Sequence, residues 1–142
     1  MEILEVIVEA WGWKGIKPAA IIDTNPFGNV LVTDVSGSVW RICPEELRAT
    51  QFADGDFDRI RQSVEFAEDW NMTELVQRAQ DLLGDPGEDR CYCLKVPGVL
   101  GGKYDDSNLA TISFSELLLV SGALARQIEG LPDGSDVRLV VK

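Results

Sequence analysis

The run over residues 91–134, CYCLKVPGVLGGKYDDSNLATISFSELLLVSGALARQIEGLPDG, constrains the fold more than any other stretch. Strand, turn and helix signals follow one another there without a gap. An apolar strand is predicted over 91–96, broken by Pro97-Gly98 and followed by the glycine loop Gly101-Gly102-Lys103-Tyr104. Asp105-Asp106-Ser107-Asn108 then makes a polar turn, and a second short strand over 109–113 leads into a helix. Ser113 and Glu116 stand at capping-box spacing, where a hydroxyl takes an orphan amide of the first turn. Leu117, Ser121, Leu124 and Ile128, flanked by Leu118 and Ala125, repeat at the three-to-four spacing of one buried helix face. Gly130 stops this helix, and Pro132-Asp133-Gly134 turns the chain into a closing strand in which Val137, Leu139 and Val141 alternate.

The rest of the chain adds shorter signals. Glu2, Glu5 and Glu9 form one polar stripe in an otherwise apolar segment, which predicts a mostly buried helix over 2–11. Pro18 suits the first turn of a short helix over 19–23. Asn25-Pro26-Phe27-Gly28 is a turn, and the β-rich runs 29–34 and 38–43 read as a hairpin joined by Val35-Ser36-Gly37. Trp40 is expected to pack in that sheet. Pro44-Glu45-Glu46-Leu47 starts a helical turn. Phe57, Ile60, Val64, Ala67 and Trp70 define one amphipathic helix. Leu75, Val76, Ala79, Leu82 and Leu83 define another, opened by Asn71 or Thr73 and stopped by Gly84. Helices and strands do not alternate as βαβ units, so the predicted class is α+β: a mainly antiparallel sheet packed with several amphipathic helices. The 142 residues are read as a single domain, 1–142, long enough to bury roughly 70% of the surface of its unfolded chain.

Several of these segments carry a resemblance. Leu-Gly-Gly-Lys-Tyr at 100–104, Asn108-Leu109, Gly-Ala-Leu-Ala-Arg-Gln-Ile at 122–128 and Leu-Pro-Asp-Gly at 131–134 stand in order. Together they resemble the C-terminal domain of the type VI secretion DNase-immunity protein family, most strongly over 92–141. Upstream, Asn25-Pro26-Phe27-Gly28-Asn29 and Trp40-Arg41-Ile42-Cys43-Pro44-Glu45-Glu46-Leu47 are similar to its short, stand-alone members. Longer relatives carry an additional N-terminal domain, for which this chain has no room. The resemblance implies a non-enzymatic protein that binds and neutralises a cognate toxin, a DNase effector, and so protects the producing cell.

Charge fits such a partner. Thirteen basic against twenty-four acidic side chains leave a net charge of −11. Nucleic-acid affinity rests on Lys and Arg neutralising phosphates, and anionic membranes are disfavoured for the same reason. A basic protein would instead be steered in. No apolar run reaches the roughly 20 residues that span a bilayer, and Met1-Glu2-Ile3-Leu4-Glu5 lacks a basic signal-peptide start. Three cysteines, an odd number, fit a reducing compartment, so a cytoplasmic location is expected.

Catalytic chemistry finds little to use. The chain has no histidine, which removes Ser-His-Asp and Cys-His mechanisms and the common zinc sites. Cys91 and Cys93, two apart on a strand, share a face, yet with Cys43 they supply only three of the four ligands a structural zinc needs. They are read as small buried hydrophobes. Asp54, Asp56, Asp58 and Glu65 fall at positions 1, 3, 5 and 12 of a calcium loop. Arg59 occupies the place of its required glycine, so an acidic helix N-terminus is the expectation. Gly98, Gly101, Gly102 and Lys103 fall one residue short of a phosphate loop, with Tyr104 where Ser or Thr would hold magnesium. Asp105 and Asp106 are the remaining acid/base candidates, on a loop where carboxylates are normally solvated. No cofactor, metal or catalytic residue is assigned. Asp54, Asp56, Asp58, Tyr104, Asp105 and Asp106 are the expected partner-binding positions on an acidic docking surface. A regulatory interaction module, or a small carboxylate-dependent enzyme, is the alternative reading.

Overall fold

The strands of the first half pair in chain order, and the strand–loop–strand unit of the second half pairs with itself. The computed structural model describes residues 2–53 and 56–131. Its elements are α1 (Ile3–Trp11), β1 (Pro18–Thr24), β2 (Val30–Asp34), β3 (Val39–Cys43), β4 (Arg48–Gln51), α2 (Asp56–Arg61), α3 (Val64–Asn71), α4 (Thr73–Leu83), β5 (Arg90–Leu94), β6 (Leu109–Ser113) and α5 (Phe114–Ile128). Strands β1 to β4 form an antiparallel sheet in sequence order, and β5 pairs with β6 as an antiparallel ribbon. The fold is therefore α+β with antiparallel sheets, as expected from the sequence.

Alternation along the strands sends side chains to two cores. Val30, Val32, Trp40, Ile42 and Ala49 face α1 and α5, meeting Val6, Ile7, Trp11, Leu118 and Leu124 in the main core. Leu31 and Val39 point the other way, against Phe57 of α2 and Phe66 and Trp70 of α3. The ribbon is covered twice as well. Tyr92, Leu94 and Leu109 pack with Phe27 and with Ala79 of α4, while Cys91 and Cys93, on one face as expected, pack with Leu117 of α5. Ser113 caps α5 by accepting the Glu116 N–H at 3.1 Å.

Three local expectations are corrected. Residues 19–23 are not a helix but the body of β1, paired with β2 from Pro18↔Asp34 to Thr24↔Val30. Pro18 is accommodated as the first residue of an edge strand, where its missing N–H costs no ladder bond. The amphipathic run 57–70 is two helices, because Ser63 is extended (φ −76°, ψ 150°) and caps α3 through the Phe66 N–H at 3.1 Å. Helix α4 is opened by neither Asn71 nor Thr73 as cap. Met72 precedes it in the left-handed region (φ 46°), its N–H donating to the Glu68 carbonyl. The turn at 132–134 and the closing strand with Val137, Leu139 and Val141 lie outside the described residues.

Candidate functional site

The second sheet face carries a polar arrangement that α+β packing alone does not require. Asn25, at the turn before β2, accepts the Phe27 and Asn29 N–H groups at 3.0 Å each and donates to the Trp70 carbonyl at 2.9 Å. Asn29 is fully buried (0% exposed). Its amide nitrogen donates to both oxygens of Glu45, at 2.9 and 2.8 Å. Its amide oxygen accepts from Arg41 Nε at 3.2 Å and Nη2 at 2.9 Å. One asparagine thus holds a carboxylate on one side and a guanidinium on the other.

Local structure explains how these groups converge. Arg41 lies between Trp40 and Ile42 on β3, so when those two face the main core it must project to the opposite face. There its guanidinium sits 5.2 Å from the Trp70 ring centroid and pairs with Asp69. Glu45 belongs to the 3-10 turn Pro44–Glu46 that follows β3, is only 6% exposed, and also accepts from the Cys43 thiol at 3.2 Å. Burial, with the Glu45 charge beside it, pushes that thiol well above its ordinary pKa.

The glycine loop closes the site from the second half of the chain. Asn108 pins it, accepting the Val96 N–H and donating to the Val96 and Lys103 carbonyls, each at 2.9 Å. Gly102 is obligatory at this point, since a Cβ there would lie 1.8 Å from the Val96 oxygen. Tyr104 is thereby presented at the lip, 40% exposed, its hydroxyl donating to Glu46. Burial of part of the ring, then the Glu46 contact, raises its pKa and keeps the phenol a donor. Arg41, Glu45, Glu46, Arg48, Glu68, Asp69 and Tyr104 together border a cleft of about 410 Å³. A smaller depression of about 300 Å³ shares Arg41 and Arg48 and continues to Phe52 and Phe66.

The six expected docking positions divide between two places. Asp56 and Asp58 open α2, with Asp56 paired to Arg59 at 2.9 Å; Asp54 lies outside the described residues. Tyr104, Asp105 and Asp106 stand together on the loop before β6. Asp106 pairs with Arg78 of α4 at 3.3 Å, and Asp105 accepts from the Ser107 hydroxyl at 2.6 Å, which holds its carboxyl below the usual range. No hydrogen bond, ion pair or ring contact joins the two groups among the described residues. Of the five described, Tyr104 alone borders the cleft. Sequence reasoning assigned no role to Asn29, Arg41, Glu45, Glu68 or Asp69. The available signal was a charged residue inside the apolar strand run Trp40-Arg41-Ile42, which a buried partner must satisfy.

The family profile described as T6SS immunity protein Tdi1, C-terminal, matches residues 54–125, half of the chain. The chain belongs to this type VI secretion system immunity family. Comparison with curated proteins finds no match. The matched half contributes Glu68, Asp69 and Tyr104 to the cleft, whereas Asn25, Asn29, Arg41 and Glu45 precede it. The site is the seam between the family segment and the residues before it. Among the described residues, no helix is long and apolar enough to cross a membrane.

Proposed function

We propose that the protein neutralises a cognate secreted toxin by binding it, without catalysis, and that the toxin is a nuclease effector of a type VI secretion system. The observation that carries this reading is membership of the immunity family over residues 54–125. Charge supports the nuclease assignment. An enzyme that holds DNA needs lysine and arginine against the phosphates, and a chain of net charge −11 is attracted to that same surface. The acidic positions Asp54, Asp56 and Asp58, and Tyr104 with Asp105 and Asp106, would steer the encounter. The non-catalytic part of the reading draws support from Asp105 and Asp106. Asp105 is held low by Ser107, which leaves it poorly placed to transfer a proton near neutral pH, and the Asp106 carboxylate is engaged by Arg78. In this reading residues 1–142 act as one domain, in the cytoplasm, where the toxin would find DNA.

Co-expression with the product of the neighbouring open reading frame in a sensitive host tests the proposal. The neighbour alone should arrest growth and degrade DNA. This protein should restore growth and co-purify with it. Rescue without a complex, or a neighbour that is harmless, refutes neutralisation by binding. Arrest with intact DNA refutes only the nuclease assignment.

A further inference from the structure

The cleft at the seam is lined by more acidic than basic side chains. Glu45 is more than nine-tenths buried and lines the cleft, yet no lysine or arginine pairs with it among the described residues. Its donors are one amide nitrogen and one thiol, and the thiol reaches only Oε1. A carboxylate has about four acceptor positions, and taking its charge out of water is costly unless a cation or further donors compensate. Arg41 cannot supply that compensation directly, because Asn29 stands between them and Asp69 and the Trp70 ring hold the guanidinium. On the rim, Glu68 is exposed and has no side-chain partner among the described residues.

We propose that this cleft receives a basic side chain of the toxin, an arginine in the best-fitting case, with an apolar neighbour seated against Phe52 and Phe66; the inference rests on the immunity reading above. Four carboxylates (Glu45, Glu46, Glu68 and Asp69) border the cleft against two guanidiniums, and one of those two is already paired with Asp69. An entering guanidinium meets Glu45 at the floor and Glu68 at the rim, and its planar donors match a carboxylate bidentately. Tyr104 at the lip offers a half-exposed ring, held in place by Glu46, as a flat contact of the type that dominates interface energetics. The floor is already ordered by Asn29, so little side-chain freedom is lost on binding. The apolar extension beside Arg48 sets the register of the bound segment.

The same neighbour-encoded toxin used in the growth test is the probe, with affinity and rates measured by surface plasmon resonance. Glu45→Gln keeps the shape of the floor and removes its charge. Glu68→Lys reverses a rim charge that has no partner among the described residues, so it reads the cleft even where Glu45→Gln lowers stability. Glu5→Lys makes the same change in net charge on α1, which packs on the opposite face of the sheet. Each cleft variant should raise Kd about tenfold or more, mainly through faster dissociation, while Glu5→Lys shifts Kd less than about threefold, through association. Cleft variants that bind within about threefold of the parent protein overturn the inference and leave immunity standing, as does loss of binding confined to Asp56→Lys or Asp106→Lys. A parent protein that neither rescues nor binds ends both.

Discussion

Asn29→Ala is the substitution that tests the seam most directly. Asn29 is fully buried and makes two side-chain contacts to the Glu45 carboxylate and two to the Arg41 guanidinium. Hydrogen bonds to charged groups contribute about 1.5–3 kcal/mol each, and the paired contacts here amount to two such interactions, one per charged group. Arg41 keeps Asp69 and the Trp70 face, so its share of the loss lies at the lower end. Among the described residues Glu45 then retains only the Cys43 thiol, and it stays buried, so its share lies at the upper end. The expected cost is about 3–5 kcal/mol, a large part of the roughly 5–15 kcal/mol by which domains are stable. Urea unfolding at neutral pH, compared at unchanged m-value, measures it. The double variant Asn29→Leu with Glu45→Leu removes donor and buried charge together, so it should be less destabilised than the sum of its single changes by about 1 kcal/mol or more. A cost below about 1 kcal/mol for Asn29→Ala, or strict additivity in the cycle, would refute the view that this asparagine carries a buried charge.

Four further outcomes follow from the geometry. Gly28 has φ +71°, and a Cβ there would stand 2.7 Å from Leu117 Cδ2 and 3.1 Å from Cys91 Sγ, so Gly28→Ala should cost about 2–4 kcal/mol in the same assay. All three thiols are buried and shifted upward, Cys91 to about 12, so a thiol reagent at pH 8 should label none in the folded protein and all three in denaturant. Because those folded values lie above the ordinary thiol value of about 9, the stability they confer is complete below that pH, and urea midpoints should fall as pH rises from 9 towards 12. Asp34 behaves in the opposite sense: the Lys17 and Ser36 N–H groups, at 2.9 and 2.8 Å, depress its pKa. Its contribution is present above the usual 3.8 and is lost as pH falls through the folded value, so Asp34→Asn should flatten the acid limb of the stability profile.

How far the sequence could be read depended on where each decision is made. The unit from β5 to α5 is legible because its turn glycines, its Asn108 and its Ser113 cap act on neighbours a few residues away. Residues 19–23 are not, since Pro-Ala-Ala-Ile-Ile-Asp satisfies helix rules locally and only pairing with β2 overrides them. Register shifts between Pro18 and Ala20, and between Ile21 and Asp23, also erase the period-two signature that would have announced a strand. The break at Ser63 was hidden for the reverse reason: apolar spacing continues across it, and the cap that divides α2 from α3 is a single hydroxyl. At the site the difficulty was distance along the chain. Asn29 meets Arg41 twelve residues on and Glu45 sixteen residues on, and Asn25 meets Trp70 forty-five residues on. Each of these side chains reads locally as a turn residue or a solvated charge.

The seam also determines what the family-matched segment can do by itself. Residues 54–125 hold Phe57 and Trp70, whose buried partner Leu31 lies on β2, and Tyr92, whose ring packs 5.7 Å from that of Phe27. The Tyr92 N–H donates to the Pro26 carbonyl at 2.9 Å, and the Trp70 carbonyl accepts from Asn25. Leu118, Leu124 and Ala125 of α5 are covered by α1 and by the sheet. Removing the first 53 residues would therefore uncover an apolar face on α3, on the β5–β6 ribbon and on α5 at once. With a handful of large side chains exposed, at about 1.5–3 kcal/mol for each one fully uncovered, the loss is as large as the typical stability of a whole domain. Residues 54–142 expressed alone should lack a cooperative thermal transition and should bind a hydrophobic dye, while the full chain melts in one step. A segment that melts cooperatively would show the matched half to be self-sufficient. In that case the buried Asn25 and Asn29 would serve to attach the four-stranded sheet to an independently stable unit, and the cost of Asn29→Ala should fall on the sheet and leave α4, β5 and β6 intact.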